Sequence, residues 1–404
     1  MKCLWLTWID PWPEHDGQRI YSGRLVDAFA AAGAEVTVLS TAHHASHRRD
    51  GHVEGNIRWA LVPAERYLPW LSVFSSLPHI AHRPATPAMR DRLNLLLARE
   101  TWDCIIFDGL HSGWALSHCL AHYADGQRPR LIYISHNHEQ STRTTVARNY
   151  AGNPAKKPII LYDAEKAGQL EHKLVSHSDL VTAITPEDAA KFRAEAPGTP
   201  IDVLTPGYAG RKRETRHITD AVPRRAVLVG SFDWIAKQMN LADFLAVAEP
   251  VLAAQNIELQ VVGGGNQAFL DGLRLKHPSV DIVGRVAETT SYFEEARIAV
   301  VPELSGGGFK LKVLDYIFNR TPIAALDGSI AGTPLVSGKS GLFHDSYVSL
   351  ARGIADTIDN LELLNSLQNR AYEDCRDAFN WRERGERLRS SINALEGLRD
   401  DAAA

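Results

Sequence analysis

The sequence predicts an α/β protein built on two doubly wound parallel sheets, and three observations predict it. Short, continuous apolar runs such as CIIFDG (104–109) and RLIYISH (130–136) read as strands buried on both faces, as in a parallel sheet. These runs alternate with stretches of helical periodicity, the order that βαβ units require. The alternation then starts afresh after residue 224, so the chain holds two such sheets.

In the first half, CLWLTWI (3–9) is the opening strand. RIYSGRLVDAFAAAG follows at helical spacing, with Leu25, Val26 and Phe29 apolar and Gly33 as its stop. EVTVLS (35–40), the two runs quoted above, LVTAIT (180–185) and IDVLTPG (201–207) complete the strands. In the second half, RAVLVGSF (225–232), IELQVVGGG (257–265), VDIVGRV (280–286), IAVVPEL (298–304) and TPIAALD (321–327) read as strands, with ADFLAVAEPVLAAQ and LKVLDYIF as helices. The expectation is two Rossmann-like domains facing a cleft, 1–208 and 225–379. The polar, basic stretch 209–224 reads as a linker. A closing helix at about 380–400, with Phe379 and Trp381 as anchors, packs back on the first domain.

Composition sets outer limits. The 404 residues are 45% hydrophobic and 23% charged with a formal net charge of −4, and a nucleic-acid surface would need a basic excess. No nucleic-acid partner is expected. Cys3, Cys104, Cys119 and Cys375 form no CxxC pair and read as reduced core residues of a cytoplasmic protein. No run approaches the roughly 20 apolar residues of a membrane span, and the first residues lack a signal-peptide pattern. Peripheral contact with the inner membrane face stays open. The aromatic and aliphatic stretch AERYLPWLSVFSSLPHIAHRP (64–84) reads first as core packing and second as an apolar acceptor loop or membrane-facing patch. His43, His44, His47 and His52, beside Arg48 and Arg49, read as solvated surface, with acceptor contact second.

VPELSGGGFKLKVLDYIF (301–318) is a strand, a glycine loop and a helix in a row. In open parallel sheets, ligands sit beyond the carboxyl ends of the strands. Gly306, Gly307 and Gly308 let the backbone approach a ligand and, with Phe309, present N–H groups at a helix N-terminus, which carries about half a positive charge. That suits a diphosphate, and Lys310 and Lys312 add cations. Asp315, at i+3 from Lys312, cannot favour a phosphate but can accept hydrogen bonds from sugar hydroxyls. Phosphate together with ribose means a nucleotide. The competing reading is a flexible turn followed by a charged helix surface.

This stretch resembles the signature of retaining GT-B glycosyltransferases of the family 4, or group 1, type: a strand, GGG or EGFG, a helix reading RLKVLEALA, then a strand opening with PVV. The similarity extends over nearly the whole chain. LWLTWIDPWPEHDGQRI and the helix and strand after it resemble the family's opening, VLVGSFDWIAKQMNLADFL resembles its GRL…K-x-x-x-L, and FNWRERGERLRSSINAL resembles its closing FSWE helix.

The resemblance implies roles residue by residue. Asp315 takes the place of the second acid of a Glu-x7-Glu pair, which binds the donor's ribose. The first acid falls at Gly307 and is therefore missing; Glu303 is near but out of register. Lys237 matches the lysine of a basic pair that neutralises the leaving diphosphate. Its arginine falls at Ser231 or Phe232, with Lys310, Lys312 and Arg285 as candidates to compensate. In SHNHEQSTR (135–143), His136 or His138 matches the family's active-site histidine, and His136, immediately after the strand, is favoured. A helix cap with Glu139 in the first turn is the competing reading there, and a metal site from His136, His138 and Glu139 the remote one. Gly17 is what remains of a phosphate-contacting glycine pair, or part of a capping turn with Asp16 at N-cap. Gly263, with Gly264 and Gly265, lines the base pocket or makes a tight turn, and Arg285 lies where the family contacts the base.

The implied function is a glycosyltransferase moving a sugar from a nucleoside-diphosphate-sugar donor to the hydroxyl of a carbohydrate, lipid-linked or small-molecule acceptor. Retention, and the lack of any metal or other cofactor beyond the nucleotide sugar, are implied by the resemblance alone. The alternatives are a catalytically impaired nucleotide-sugar-binding scaffold, which the missing acid and arginine favour, and a nucleotide-sugar 2-epimerase, which the missing acid at 307 fits poorly.

Overall fold

The computed structural model describes every residue except His15, Asp125, Ala151, Ser305, Gly306 and Ala404, and only the backbone of 396–403. The chain divides into two units, Met1–Gly207 with Asn380–Ala404, and Tyr208–Phe379.

The strands of the first unit are β1 (Lys2–Ile9), β2 (Glu35–Thr41), β3 (Val53–Glu54), β4 (Ile57–Val62), β5 (Cys104–Asp108), β6 (Arg130–Ser135), β7 (Leu180–Ala183) and β8 (Ile201–Val203). They form one sheet in the order β3-β4-β2-β1-β5-β6-β7-β8. Every pairing is parallel except β3 with β4. The middle strands are apolar throughout because helices cover both faces: Leu4, Ile105, Leu131 and Val181 are buried in one cluster. Each such side chain contributes about 1.5–3 kcal/mol by leaving water. The chain moves from β1 to β2 on one side and to β5 on the other, which leaves a topological switch point at the carboxyl ends of β1 and β5. The helix Gly17–Ala31 starts there, capped by Asp16, whose side chain accepts from the Arg19 amide at 3.0 Å.

The closing helix, Trp381–Ala403, packs on the first unit. Its Gly385 admits the Gly17–Ala31 helix so closely that an added Cβ would sit 2.1 Å from the Ala28 carbonyl oxygen. Arg384 donates to the Thr205 carbonyl at 2.8 Å and Arg389 to the Ala32 carbonyl at 2.6 Å.

The second unit carries β9 (Arg225–Val229), β10 (Glu258–Val262), β11 (Val280–Gly284), β12 (Ile298–Val301), β13 (Ile323–Leu326) and β14 (Leu342–His344). Their order is β11-β10-β9-β12-β13-β14, with parallel pairing throughout. The switch point here lies between β9 and β12. The basic stretch 209–224 lies along this unit: Arg216 donates to the Ala296 carbonyl at 2.6 Å and the Glu294 carbonyl at 3.0 Å, and Ile218 is in its core.

Several strands end earlier than their apolar runs suggest. β12 stops at Val301 because Pro302 has no N–H for the ladder, and β10 stops at Val262, where the glycines turn away. Three strands have no counterpart in the sequence reading, the two-residue β3, β4 (IRWALV) and the three-residue β14. The helix read from residue 242 begins at Ile235, which puts Lys237 on its first turn.

Candidate active site

The second unit gathers charge at its switch point. From the end of β12 the chain passes Glu303 and the glycine loop and enters the helix Leu311–Phe318, which buries Val313, Leu314, Tyr316, Ile317 and Phe318. Among the described residues no side chain caps that helix N-terminus, and Gly308 has φ +70°, a conformation that suits glycine. Glu303 is nearly buried, 2.6 Å from Lys312 Nζ and 3.6 Å from Lys310 Nζ. Burial opposes its ionisation, but Lys312, Lys310 and Lys237 outweigh this and hold the carboxyl at about 2. Lys310 Nζ also donates to the Gly307 carbonyl at 2.5 Å. Three ammonium groups around one carboxylate leave net positive charge beside the glycine loop. Gly306 lies outside the described residues.

Asp315 sits one turn into this helix, hydrogen-bonded by the Tyr208 hydroxyl. The Tyr208 ring stacks on Phe318 with centroids 4.5 Å apart. Burial pushes the Asp315 carboxyl up to about 6, against the lowering effect of that hydrogen bond. Tyr316 Oη accepts from the Val229 amide at 2.8 Å and so ties the helix to the carboxyl end of β9.

The other expected donor-site residues fall at the same end of the sheet with different surroundings. Ser231 Oγ bonds Asp233 at 3.2 Å. The Phe309 ring is buried against Phe379, centroids 5.6 Å apart, so that residue has only its backbone to offer a ligand. Gly263 answers to packing: its φ is +145°, and a Cβ there would lie 1.7 Å from the Gly230 carbonyl oxygen. The Arg285 guanidinium covers Gly264, where a Cβ would come within 2.8 Å of Nε.

In the first unit the histidines of SHNH separate. His136 Nε2 lies 2.6 Å from Asp108 Oδ1, while Trp5 Nε1 donates to Asp108 Oδ2 at 3.0 Å. Asp108 is fully buried; its desolvation is outweighed by His136, His111 and Trp5, which hold it below the usual carboxylate range. The Tyr21 ring meets His136 edge-on at 5.3 Å, and Tyr21 Oη donates to the Leu204 carbonyl at 2.8 Å. Buried His111 packs at 6.0 Å from His136, and Gln18 lies within 3.2 Å of its Nδ1. Burial drives the His111 imidazole down to about 3, so it is neutral at physiological pH.

His138, by contrast, caps the helix Glu139–Asn149, accepting from the Ser141 amide at 3.3 Å, and its Nε2 lies 3.0 Å from Glu195. The two histidines therefore do not converge on a common ligand. Among the described residues, no cluster of three His, Cys, Asp or Glu side chains is arranged to hold a metal. Buried Glu171 accepts from the Glu139 and Gln140 amides at 2.9 and 2.8 Å and so fixes the turn that carries His136. Gly17 is the first residue of its helix, behind the Asp16 cap.

Asp108, His111, Gln18 and Trp5 were not among the expected site residues. An acid ending an otherwise apolar strand, followed by glycine and a histidine (FDGLH), was the signal available for the first two.

Two family models match this chain, the glycosyl transferase 4-like domain over residues 16–207 and the glycosyl transferases group 1 domain over residues 223–360. The chain belongs to this family of GT-B glycosyltransferases and is a transferase. Among curated proteins, no sequence matches it. Similar solved structures include a sucrose-phosphate synthase from Thermosynechococcus elongatus, 18% identical with a TM-score of 0.72 over 98% of this chain and 100% of that one. Anabaena Alr3699/HepE in complex with UDP-glucose is 12% identical, with a TM-score of 0.64 over 98% and 100%. WaaG, a glycosyltransferase involved in lipopolysaccharide biosynthesis, is 14% identical, with a TM-score of 0.62 over 96% and 99%. At these identities the likeness speaks for the fold.

Proposed function

We propose that the second unit holds a nucleoside-diphosphate sugar at the carboxyl ends of β9 and β12, and that the enzyme passes the sugar to an acceptor hydroxyl with retention and without a metal. The observation that carries this reading is the lysine trio around Glu303 at the mouth of the Leu311–Phe318 helix. Its surplus positive charge, with the Gly307–Phe309 amides, would bind the diphosphate and meet the negative charge that grows on it as the glycosidic bond breaks. Preorganised charge of this kind is usually the largest catalytic contribution. Asp315 would accept hydrogen bonds from the ribose in place of the one from Tyr208. His136, with one ring nitrogen committed to Asp108, would use the other on the donor sugar or the acceptor hydroxyl. The Anabaena Alr3699/HepE structure holds UDP-glucose, which makes it the first donor to try here. The reaction would take place in the cytoplasm, where the free, buried cysteines stay reduced, on a carbohydrate, lipid-linked or small-molecule acceptor.

The test is nucleotide release from a panel of UDP-, GDP-, ADP- and dTDP-sugars, followed chromatographically with and without added acceptors. One donor should be cleaved. Asp315→Ala should weaken binding of its nucleotide strongly, and His136→Ala should cut turnover with little change in nucleotide affinity. Sugar interconversion without nucleotide loss would identify an epimerase instead, and tight nucleotide binding with no turnover a scaffold.

A further inference from the structure

Of the fifteen exposed large apolar side chains among the described residues, seven fall in two short stretches of the first unit: Leu68, Trp70, Leu71 and Phe74, and Ile159, Leu161 and Tyr162. Phe74 is 83% exposed and Trp70 59%, and their rings touch edge to face at 6.4 Å. The stretches are neighbours. Lys166, on the same helix as Ile159 and Tyr162, sends its ammonium to the Ser72 and Ser75 carbonyls at 2.7 and 3.2 Å. The same ammonium lies 4.7 Å from the centre of the Tyr162 ring.

This turn is held in shape by buried polar groups. Lys166 and Ser72 are each only 5% exposed; Ser72 Oγ donates to the Pro69 carbonyl at 2.8 Å, and Asp163 accepts from the His79 amide at 2.6 Å. A buried lysine used to fix a six-residue turn, with the aromatics of that turn facing water, is a costly arrangement for a surface with nothing to receive it. The charges nearby name the receiver. Arg66, Arg148, Lys156 and Lys157 are at these stretches, against Glu65, Asp163 and Glu165. From residue 140 to residue 162 the sequence holds four basic residues and no acidic one. Trp, Phe and Tyr beside Lys and Arg is the pairing that seats a protein at a lipid headgroup boundary, the rings entering the interface while the cations meet anionic headgroups.

We infer that the surface made by the 68–74 turn and the start of the Lys157–His177 helix docks onto an anionic lipid bilayer. No helix among the described residues is long and apolar enough to cross a membrane, so the contact is peripheral. It uses none of the residues assigned to the donor and does not depend on which donor is used.

The test is sedimentation of the full chain with vesicles of phosphatidylcholine alone and of phosphatidylcholine mixed equally with phosphatidylglycerol. The wild type should pellet with the mixed vesicles only and leave them at high salt. Trp70→Ser/Phe74→Ser and, separately, Lys156→Glu/Lys157→Glu should each weaken the partition about tenfold or more, with unchanged circular dichroism and unchanged UDP binding. UDP binding reports on the donor site independently, so loss of one property is not confused with loss of the other. Wild-type protein remaining in the supernatant of mixed vesicles overturns the inference, as do variants that pellet like the wild type. Concentration-dependent dimerisation abolished by Phe74→Ser, without vesicle binding, also overturns it and assigns the patch to a second copy of the chain.

Discussion

His136 Nε2 and Asp108 Oδ1 lie 2.6 Å apart, across the carboxyl ends of the neighbouring strands β5 and β6. The Trp5 indole occupies the other carboxylate oxygen, so the carboxylate cannot rotate away without losing a second partner. An Nε2 proton donated to Asp108 leaves Nδ1 of His136 as an acceptor; the carboxylate thus sets the tautomer as well as the orientation. Asp108→Asn should keep the fold and nucleotide affinity but lower turnover by about 10²-fold or more, the scale of a misplaced acid–base or orienting group. Full activity in that variant would remove His136 from the chemistry. His111, neutral at physiological pH, should tolerate His111→Asn far better than His136 does.

Asp315 predicts a pH dependence for donor binding. Its carboxyl titrates at about 6 in the folded protein because burial penalises the charge. On the proposed function, only the ionised form would accept from both ribose hydroxyls, so affinity for a UDP-sugar should be level above pH 7 and fall as pH drops through 6. The diphosphate of a UDP-sugar has no ionisation in that window, which keeps the assignment clean. For stability the sign is reversed: the folded value lies above the unfolded one, so the fold gains from protonation below about 4 and loses that gain as pH rises through 6. Asp315→Asn should therefore raise the thermal midpoint at pH 7.5 relative to pH 5 while weakening the nucleotide, both read by calorimetry. A flat affinity profile from pH 5 to 8 would take Asp315 away from the ribose.

Most of the parallel strands and the glycine loop were legible because buried strands and helix mouths leave local marks: apolar runs, a proline stop, consecutive glycines. β14 was not, since its three residues (LFH) are too few for any period to show. The SHNH motif marked the turn after β6, but that His138 rather than His136 is the helix cap there is a matter of backbone geometry. Glu303 was set aside as out of register with the family's acid. Register along the chain says nothing about which side chain a lysine will meet, and Glu303 proves to be the carboxylate that Lys310 and Lys312 surround. Asp108 was hidden for a related reason: its partners Trp5 and His136 are 103 and 28 residues away in sequence.

Gly263→Ala tests packing at the second switch point. The substituted Cβ would be 1.7 Å from the Gly230 carbonyl oxygen, backbone against backbone, at a φ of +145° that other residues rarely adopt. The β9 and β10 ends would have to part, breaking the Gly230 amide's 3.0 Å bond to the Val262 carbonyl. A loss of at least about 3–4 kcal/mol is expected, on the scale of the larger single-site effects. Gly272→Ala, where nothing lies within 4 Å, is the control and should be neutral or slightly stabilising. Urea unfolding followed by circular dichroism compares the two, and equal midpoints would contradict the close approach.

Glu303→Gln separates the structural use of the lysine trio from its use on a ligand. The carboxyl titrates at about 2, below its ordinary value, so its contribution to stability is fully present above about 4.5 and is lost as pH falls through 2. A depression of that size corresponds to about 3 kcal/mol at neutral pH, and the variant should lose roughly that much because the lysines are left facing one another. Yet under the proposed function the carboxylate would also compete with a diphosphate for Lys312. Saturating UDP should therefore restore much of the lost stability, and UDP affinity at low salt should equal or exceed that of the wild type. Lys312→Ala should lose affinity instead, with a shallower salt dependence. Calorimetric titration at two ionic strengths decides the matter. If Glu303→Gln folds at neutral pH but no longer binds UDP, then Glu303 itself holds the ligand, and the lysines serve only to keep it ionised.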